Sequence, residues 1–297
     1  MSQTPRLSTG VAGLDDLLGG GLLPGALTVV VGATGIGKTQ LGLQFASAGQ
    51  QQEGRRGIIF DMSSRGDSQN HAAYAQRMLD WTLDAVDAEA PVLWEHFYNP
   101  QRRDGDYLHI FKYHGRRVTK RDLDWDDWHN WQAELNARLQ TAISFFYGNF
   151  IRGARRVVVD GIEPTDRPGE SIQFNLFEYV YHQILRKDPE WVARDLFREA
   201  YRRHAEEAAQ QLYETGEIGC LLLSTSRETL LDDLIARPLD EGDALSNANT
   251  LIYLGKTREG NRVGRGLYIA KHRGSACDDR IIPYSIDDRG LFLAARR

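Results

Sequence analysis

The chain is poor in sulfur and has no long apolar run, and each absence narrows what it can be. Of its 297 residues only two are cysteines, Cys220 in an apolar run and Cys277 in a polar one, so neither a disulfide framework nor a paired thiolate metal site is expected. The eight histidines are scattered without the spacing of a zinc-ligand pair. No apolar run approaches the roughly 20 residues of a membrane span and no charged, apolar leader is visible, so a cytoplasmic protein without a membrane partner is expected. Positive charge is not in surplus either. With a net charge of −5 the chain as a whole carries no electrostatic footprint for nucleic acid, and the basic groups Arg116-Arg117 and Lys120-Arg121 read as solvated loop. The length is nonetheless enough to bury a core without disulfides.

What is present is a phosphate-binding loop. Gly32-Ala33-Thr34-Gly35-Ile36-Gly37-Lys38-Thr39 follows the apolar run Ala26 to Val31 and leads through Gln40 into the helical pattern Leu41 to Ala46, the strand-loop-helix context that the pattern requires. Glycines allow consecutive backbone N–H groups to turn inward on phosphate, and the following helix adds its positive end. Lys38 is expected to reach the β and γ oxygens and the Thr39 hydroxyl to ligate magnesium. Such a loop needs a carboxylate at the end of a buried strand for the metal. Arg156-Val157-Val158-Val159-Asp160 supplies it, because a carboxylate closing that run is costly to bury without a partner. A nucleotide and Mg2+ are therefore the expected cofactors, with Thr39 and Asp160 as metal residues. The loop alone leaves ATP and GTP open, since no guanine-specific tetrad is present and adenine recognition is usually diffuse.

Alternating short β-branched runs and helical stretches predict an α/β domain with a mostly parallel sheet. The candidate strands are Leu27 to Val31, Gly57 to Met62, Val92 to Phe97, Arg156 to Asp160, Gly219 to Thr225, Thr250 to Thr257 and Gly266 to Lys271. The last two face each other across Arg258-Glu259-Gly260-Asn261 as an antiparallel edge hairpin. Two segments read as helical insertions into a single domain spanning 1–297. Residues 99–136 are charged, with Trp125, Trp128 and Trp131 three apart on one helical face, and residues 164–216 end in an amphipathic helical stretch from Asp195 to Tyr213. The Trp face reads as packing on the parent domain or as a ligand-stacking surface, and the second stretch as a docked or a partner-binding helix, so a protein partner through the insertions is open.

Before the phosphate loop stands Leu7-Ser8-Thr9-Gly10-Val11-Ala12-Gly13-Leu14-Asp15-Asp16-Leu17-Leu18-Gly19-Gly20-Gly21-Leu22, and near the other end Lys271-His272-Arg273-Gly274-Ser275. The N-terminal stretch resembles the entry segment of the KaiC and RecA/RadA group, and the C-terminal one is similar to the lysine-x-arginine-glycine-serine/threonine motif of the KaiC family. The resemblance implies a RecA-like P-loop ATPase core that takes ATP, with Lys271 and Arg273 reaching across a subunit interface to the γ-phosphate held by a neighbour, and a homohexameric ring. It also exposes a departure. The family carries its catalytic glutamates at the end of the second core strand, where this chain has Ser63 and Ser64, and a serine hydroxyl is too weak a base to replace a carboxylate. Asp61, about 6–7 Å back on the same strand face, is the carboxylate left to act through a water, or to serve as a capping or salt-bridged residue.

The expected function is an ATP-binding regulatory switch with slow or conditional hydrolysis. The alternatives are a RecA/RadA-like DNA-binding ATPase, with Arg167 and Arg227 lining a channel, and a catalytically silent scaffold subunit. Glu163, Asp166 and Glu170 crowd the first of those loops and Asp232, Asp233, Asp240 and Glu241 the second, which argues against a track for a nucleic-acid backbone. An autokinase role is not supported, because Ser246 is the single hydroxyl before the late edge strand. Ser224-Thr225-Ser226 reads as a phosphate-sensing strand end or as hydroxyls satisfying a turn.

Overall fold

The computed structural model describes the backbone of residues 5–63, 70–111, 125–164, 171–237, 247–274 and 278–293, with side chains of the long helix described from residue 138 onward. A ten-stranded sheet in the order β10-β9-β8-β7-β1-β6-β5-β2-β4-β3 organises the chain. The strands are β1 (Leu27–Gly32), β2 (Ile58–Asp61), β3 (Ala85–Val86), β4 (Tyr107–His109), β5 (Arg156–Ile162), β6 (Gly219–Thr225), β7 (Thr250–Glu259), β8 (Arg262–His272), β9 (Ile282–Asp287) and β10 (Gly290–Leu293). From β7 to β3 every neighbouring pair is parallel, and β8, β9 and β10 add on antiparallel.

The central strands are buried on both faces, as their near-continuous apolar runs require. Their side chains divide by the strand period of two. Leu27, Val29, Val31, Val157, Val159, Cys220 and Leu222 enter one core; Val30, Val158, Leu221 and Leu223 enter the other. The first core is covered by α4 (Trp125–Ile151), α5 (Ile172–Val180), α6 (Pro189–Phe197) and α7 (Tyr201–Gln210). The second is covered by α1 (Leu14–Leu17), α2 (Lys38–Gln52), α3 (His71–Leu79) and the β9–β10 hairpin. A last short helix, α8 (Leu231–Ala236), packs beside β7.

The β7–β8 hairpin forms where expected, closing on Gly260-Asn261 with Gly260 at φ 57. Two expectations fail. Val92 to Phe97 is not a strand: the segment runs irregularly into a turn over Glu95–Tyr98, held by Phe97, which is buried edge-on against Phe197 and stacked on Tyr147. The sheet positions beyond β2 go instead to β4 and β3, so part of the first expected insertion is a strand of the main sheet. The stretch from Asp195 to Tyr213 is not one helix either. It breaks at Arg198, whose φ of 47 ends α6, and resumes as α7, bringing His204 back onto the Phe197 ring at 4.4 Å. Trp125, Trp128 and Trp131 lie in α4, and their side chains fall outside the described residues.

Candidate nucleotide site

The phosphate loop leaves the carboxyl end of β1 and enters α2 at Lys38. Gly37 has φ 111, and a Cβ there would stand 2.7 Å from Ile286 of β9, so the position tolerates no side chain on two grounds. The C-terminal hairpin braces the loop from behind. The Tyr284 hydroxyl donates to the Ile36 carbonyl at 2.7 Å, and Gln44 of α2 exchanges two hydrogen bonds with the backbone of Leu291. Thr34 and Gly35 are exposed at the tip, while Ala33, Ile36, Gly37 and Lys38 are buried and Thr39 and Gln40 are half-buried.

Lys38 folds back over the loop, its Nζ donating to the carbonyls of Gly32 at 2.8 Å and Ala33 at 2.9 Å. Burial lowers its pKa to about 8, with Asp160 opposing that shift. The Thr39 hydroxyl donates to Oδ2 of Asp160 at 2.8 Å, which joins the two residues expected to serve the metal. Asp160 is fully buried at the carboxyl end of β5. Burial alone would raise its pKa, but His71, Thr39 and Lys38 together hold the carboxyl below its usual range. The next residue, Gly161, has φ 98, and a Cβ would come within 2.2 Å of the Ser63 nitrogen; glycine is what lets β5 and the end of β2 approach here.

His71 is the residue that the sequence did not disclose. Entering at the start of α3, it is 2% exposed, with Nε2 donating to Oδ2 of Asp160 at 3.0 Å and Nδ1 3.4 Å from Oδ2 of Asp61. Burial works against its charge, yet the hydrogen bond to Asp160 and the fields of Asp61 and Asp160 raise its pKa. Asp61 itself pairs with Asp160 across the β2–β5 ladder. Its Oδ1 accepts from the Ser63 nitrogen at 2.8 Å and its Oδ2 from the Tyr107 hydroxyl at 2.7 Å. Both oxygens are thus engaged inside the protein. Ser63 is buried and Ser64 lies outside the described residues.

Thr39 and Asp160 provide hard oxygen donors of the kind that Mg2+ prefers, and Mg2+ characteristically takes few protein ligands, completing its shell with water and phosphate oxygens. Among the described residues no group of three or more His, Cys, Asp or Glu could cage a metal by itself. Bound at Thr39 and Asp160, the ion would neutralise phosphate charge.

Lys271 and Arg273 stand elsewhere. Lys271 is opposite Leu251 on β7, which is opposite Val29 on β1, three residues or about 10 Å back from Gly32 toward the amino ends of the parallel strands. Between them His272 is anchored, bonded to the Thr250 hydroxyl at 2.8 Å and the Leu18 carbonyl at 2.9 Å. Arg273 is exposed and Lys271 half-buried. The pair is therefore at the opposite end of the sheet from the chain's own phosphate loop. Ser226 does sit by the loop, its nitrogen donating to the Gly32 carbonyl at 3.0 Å. Arg227 is exposed; Arg167, Ser246 and Ser275 lie outside the described residues.

A mostly parallel sheet with a phosphate loop after its first strand and a carboxylate at the end of β5, separated from β1 by β6, defines a P-loop fold of RecA-like architecture. The family model for the KaiC ATPase matches residues 7–178, and the chain belongs to that family. Over 95 residues it is 35% identical to the circadian clock protein KaiC2 of Synechocystis, a match covering 31% of this chain and 16% of that protein. Over 113 residues it is 31% identical to the circadian clock oscillator protein KaiC of Rippkaea orientalis, covering 37% and 20%. The matches thus span no more than about a fifth of those relatives' length. A KaiC-like protein from Pyrococcus horikoshii superposes over 97% of this chain and 98% of its own with a TM-score of 0.52 at 15% identity, a likeness of fold.

Proposed function

We propose that this chain is a single-domain, magnesium-dependent, ATP-binding protein that works as an oligomeric regulatory switch, with hydrolysis that is slow or conditional. The observation that carries the reading is the Lys38, Thr39 and Asp160 arrangement at the ends of β1 and β5: a cation for phosphate and two oxygen donors for the metal, held by 2.8–2.9 Å hydrogen bonds. Membership of the KaiC ATPase family supports ATP as the nucleotide.

Two features support slow turnover. The end of β2 offers serine where a general base is needed, and the nearby Asp61 carboxylate is engaged by Ser63, Tyr107 and His71. Asp61 then acts at one remove, setting the position of His71 against Asp160. Loss of a general base typically costs about 10²–10⁴-fold while leaving electrostatic stabilisation in place.

Lys271 and Arg273 serve a neighbour's γ-phosphate in this reading, within a ring of six. Their position at the amino edge of the sheet, away from the chain's own loop, favours use in trans, and an arginine placed there would stabilise transition-state charge. Nucleotide state then sets ring assembly or partner binding. The test is light scattering with and without Mg-ATP, joined to a mixing assay. Lys38→Ala and Lys271→Ala/Arg273→Ala chains, each inactive alone, should regain turnover when mixed, because some mixed interfaces pair an intact loop with an intact cation pair. No recovery on mixing, with both variants assembling normally, would contradict use in trans.

A further inference from the structure

A cleft of about 700 Å3 opens where the chain leads into β2, β3, β4 and β5. It lies at the amino ends of those strands, whereas Asp61 and Asp160 stand at the carboxyl ends of β2 and β5. The length of β2 alone, about 10 Å, separates the two places, so the cleft is no part of the nucleotide site. Its walls come from the turn before β2, the approach to β4 and the end of α4, and thus include part of the first segment that the sequence set apart.

The lining holds five guanidiniums against three carboxylates. Three of the arginines are committed to the fold. Arg102 and Arg152 clamp the buried Asp104 at 2.9 and 2.7 Å, and Arg55 donates to the Arg152 carbonyl and to Asn149, both at 2.7 Å. Asp106 accepts from the Trp81 indole and the Asp84 nitrogen, and its charge is felt by Arg56. Arg56 and Arg103 are the two guanidiniums of the lining that are not tied into the clamp around Asp104 and Asn149. Arg56 stacks over Trp81 at 5.2 Å with its Nε buried and without a hydrogen-bond partner, and Arg103 is exposed at the cleft. Neither forms an ion pair among the described residues.

The volume falls in the range of small-molecule sites. A surplus of two positive charges, presented as guanidinium forks, matches a phosphate dianion in charge and geometry. Trp81 and Tyr98 add aromatic surface to the wall. We propose that this cleft is a second anion site, which takes a phosphorylated small molecule with its phosphate against Arg56 and Arg103. Burial is the main reason the Arg55 and Arg102 guanidiniums sit below their usual pKa, with Asp104 opposing that shift and Arg152 adding a smaller part to it.

Inorganic pyrophosphate is the probe, titrated calorimetrically into the full chain. Lys38→Ala, which disables the phosphate loop, should retain saturable binding, and adding Arg56→Gln and Arg103→Gln should weaken that binding by at least about tenfold. A second arm needs no change at the loop: the unaltered chain should take two equivalents and Arg103→Glu, an exposed charge reversal, one. Binding lost in Lys38→Ala would place the anion at the phosphate loop alone, and two equivalents still taken by Arg103→Glu would place the second one away from Arg103; either result overturns the proposal.

Discussion

His71 Nε2 and Asp160 Oδ2 are 3.0 Å apart in a buried site, on the same carboxylate oxygen that accepts from Thr39. Asp160 and Asp61 face each other across the β2–β5 ladder, and His71 lies between them, its pKa raised against burial by its hydrogen bond to Asp160 and by the fields of both carboxylates. Two carboxylates so close to each other and so far from water need such a partner.

Replacing His71 by alanine removes that partner. Nucleotide-free protein should lose about 3–5 kcal/mol of stability, the usual cost of stranding a buried charge. The loss should be smaller with Mg-ATP present, since the ion and its ligands then bring positive charge to Asp160. Urea unfolding of both proteins, with and without Mg-ATP, measures this difference; an equal loss in the two conditions would detach His71 from the metal seat.

Lys38 gives a pH dependence whose sign is fixed by its burial. In the free protein its pKa falls from 10.5 to about 8, so between those values the unfolded chain binds more protons and stability rises with pH. Phosphate reverses the preference by favouring the ammonium form. Nucleotide binding should therefore take up a proton above about pH 8, and ATP affinity should fall there by up to about tenfold per pH unit. Calorimetric titrations in buffers of different ionisation heat report the proton count directly. Lys38→Ala should abolish both the uptake and most of the affinity.

Arg156 is a structural counterpart to these site residues. Fully buried at the start of β5, it is bound by Glu53 at 2.7 and 2.9 Å, by the Ser8 carbonyl at 2.6 Å and the Phe45 carbonyl at 2.8 Å, and by Gln52. It ties the N-terminal segment and the end of α2 to the sheet. Arg156→Ala should cost about 3–5 kcal/mol, visible as a lowered thermal midpoint, while Mg-ATP affinity per folded molecule stays near that of the parent chain.

The phosphate loop, Asp160, the parallel centre and the β7–β8 hairpin were legible because each rests on local chemistry: glycine spacing, a carboxylate closing an apolar run, a two-residue turn. His71 was not, since a lone histidine ten residues beyond Asp61 carries no spacing signal, and only the fold brings it between two aspartates. Tyr107 is hidden for the same reason. Val92 to Phe97 misleads because a short apolar run has no period of its own, and here its aromatic rings are drawn into a core with Tyr147 and Phe197. The break at Arg198 has no glycine or proline to announce it.

The most direct test pairs two measurements on one preparation: equilibrium binding of ATP in the presence of Mg2+, and steady-state phosphate release at saturating Mg-ATP. Tight, saturable binding with release far slower than that of a P-loop ATPase bearing its glutamate is the expected result. Vigorous turnover from the unaltered chain would contradict it, and would require a base that neither Ser63 nor the engaged Asp61 supplies.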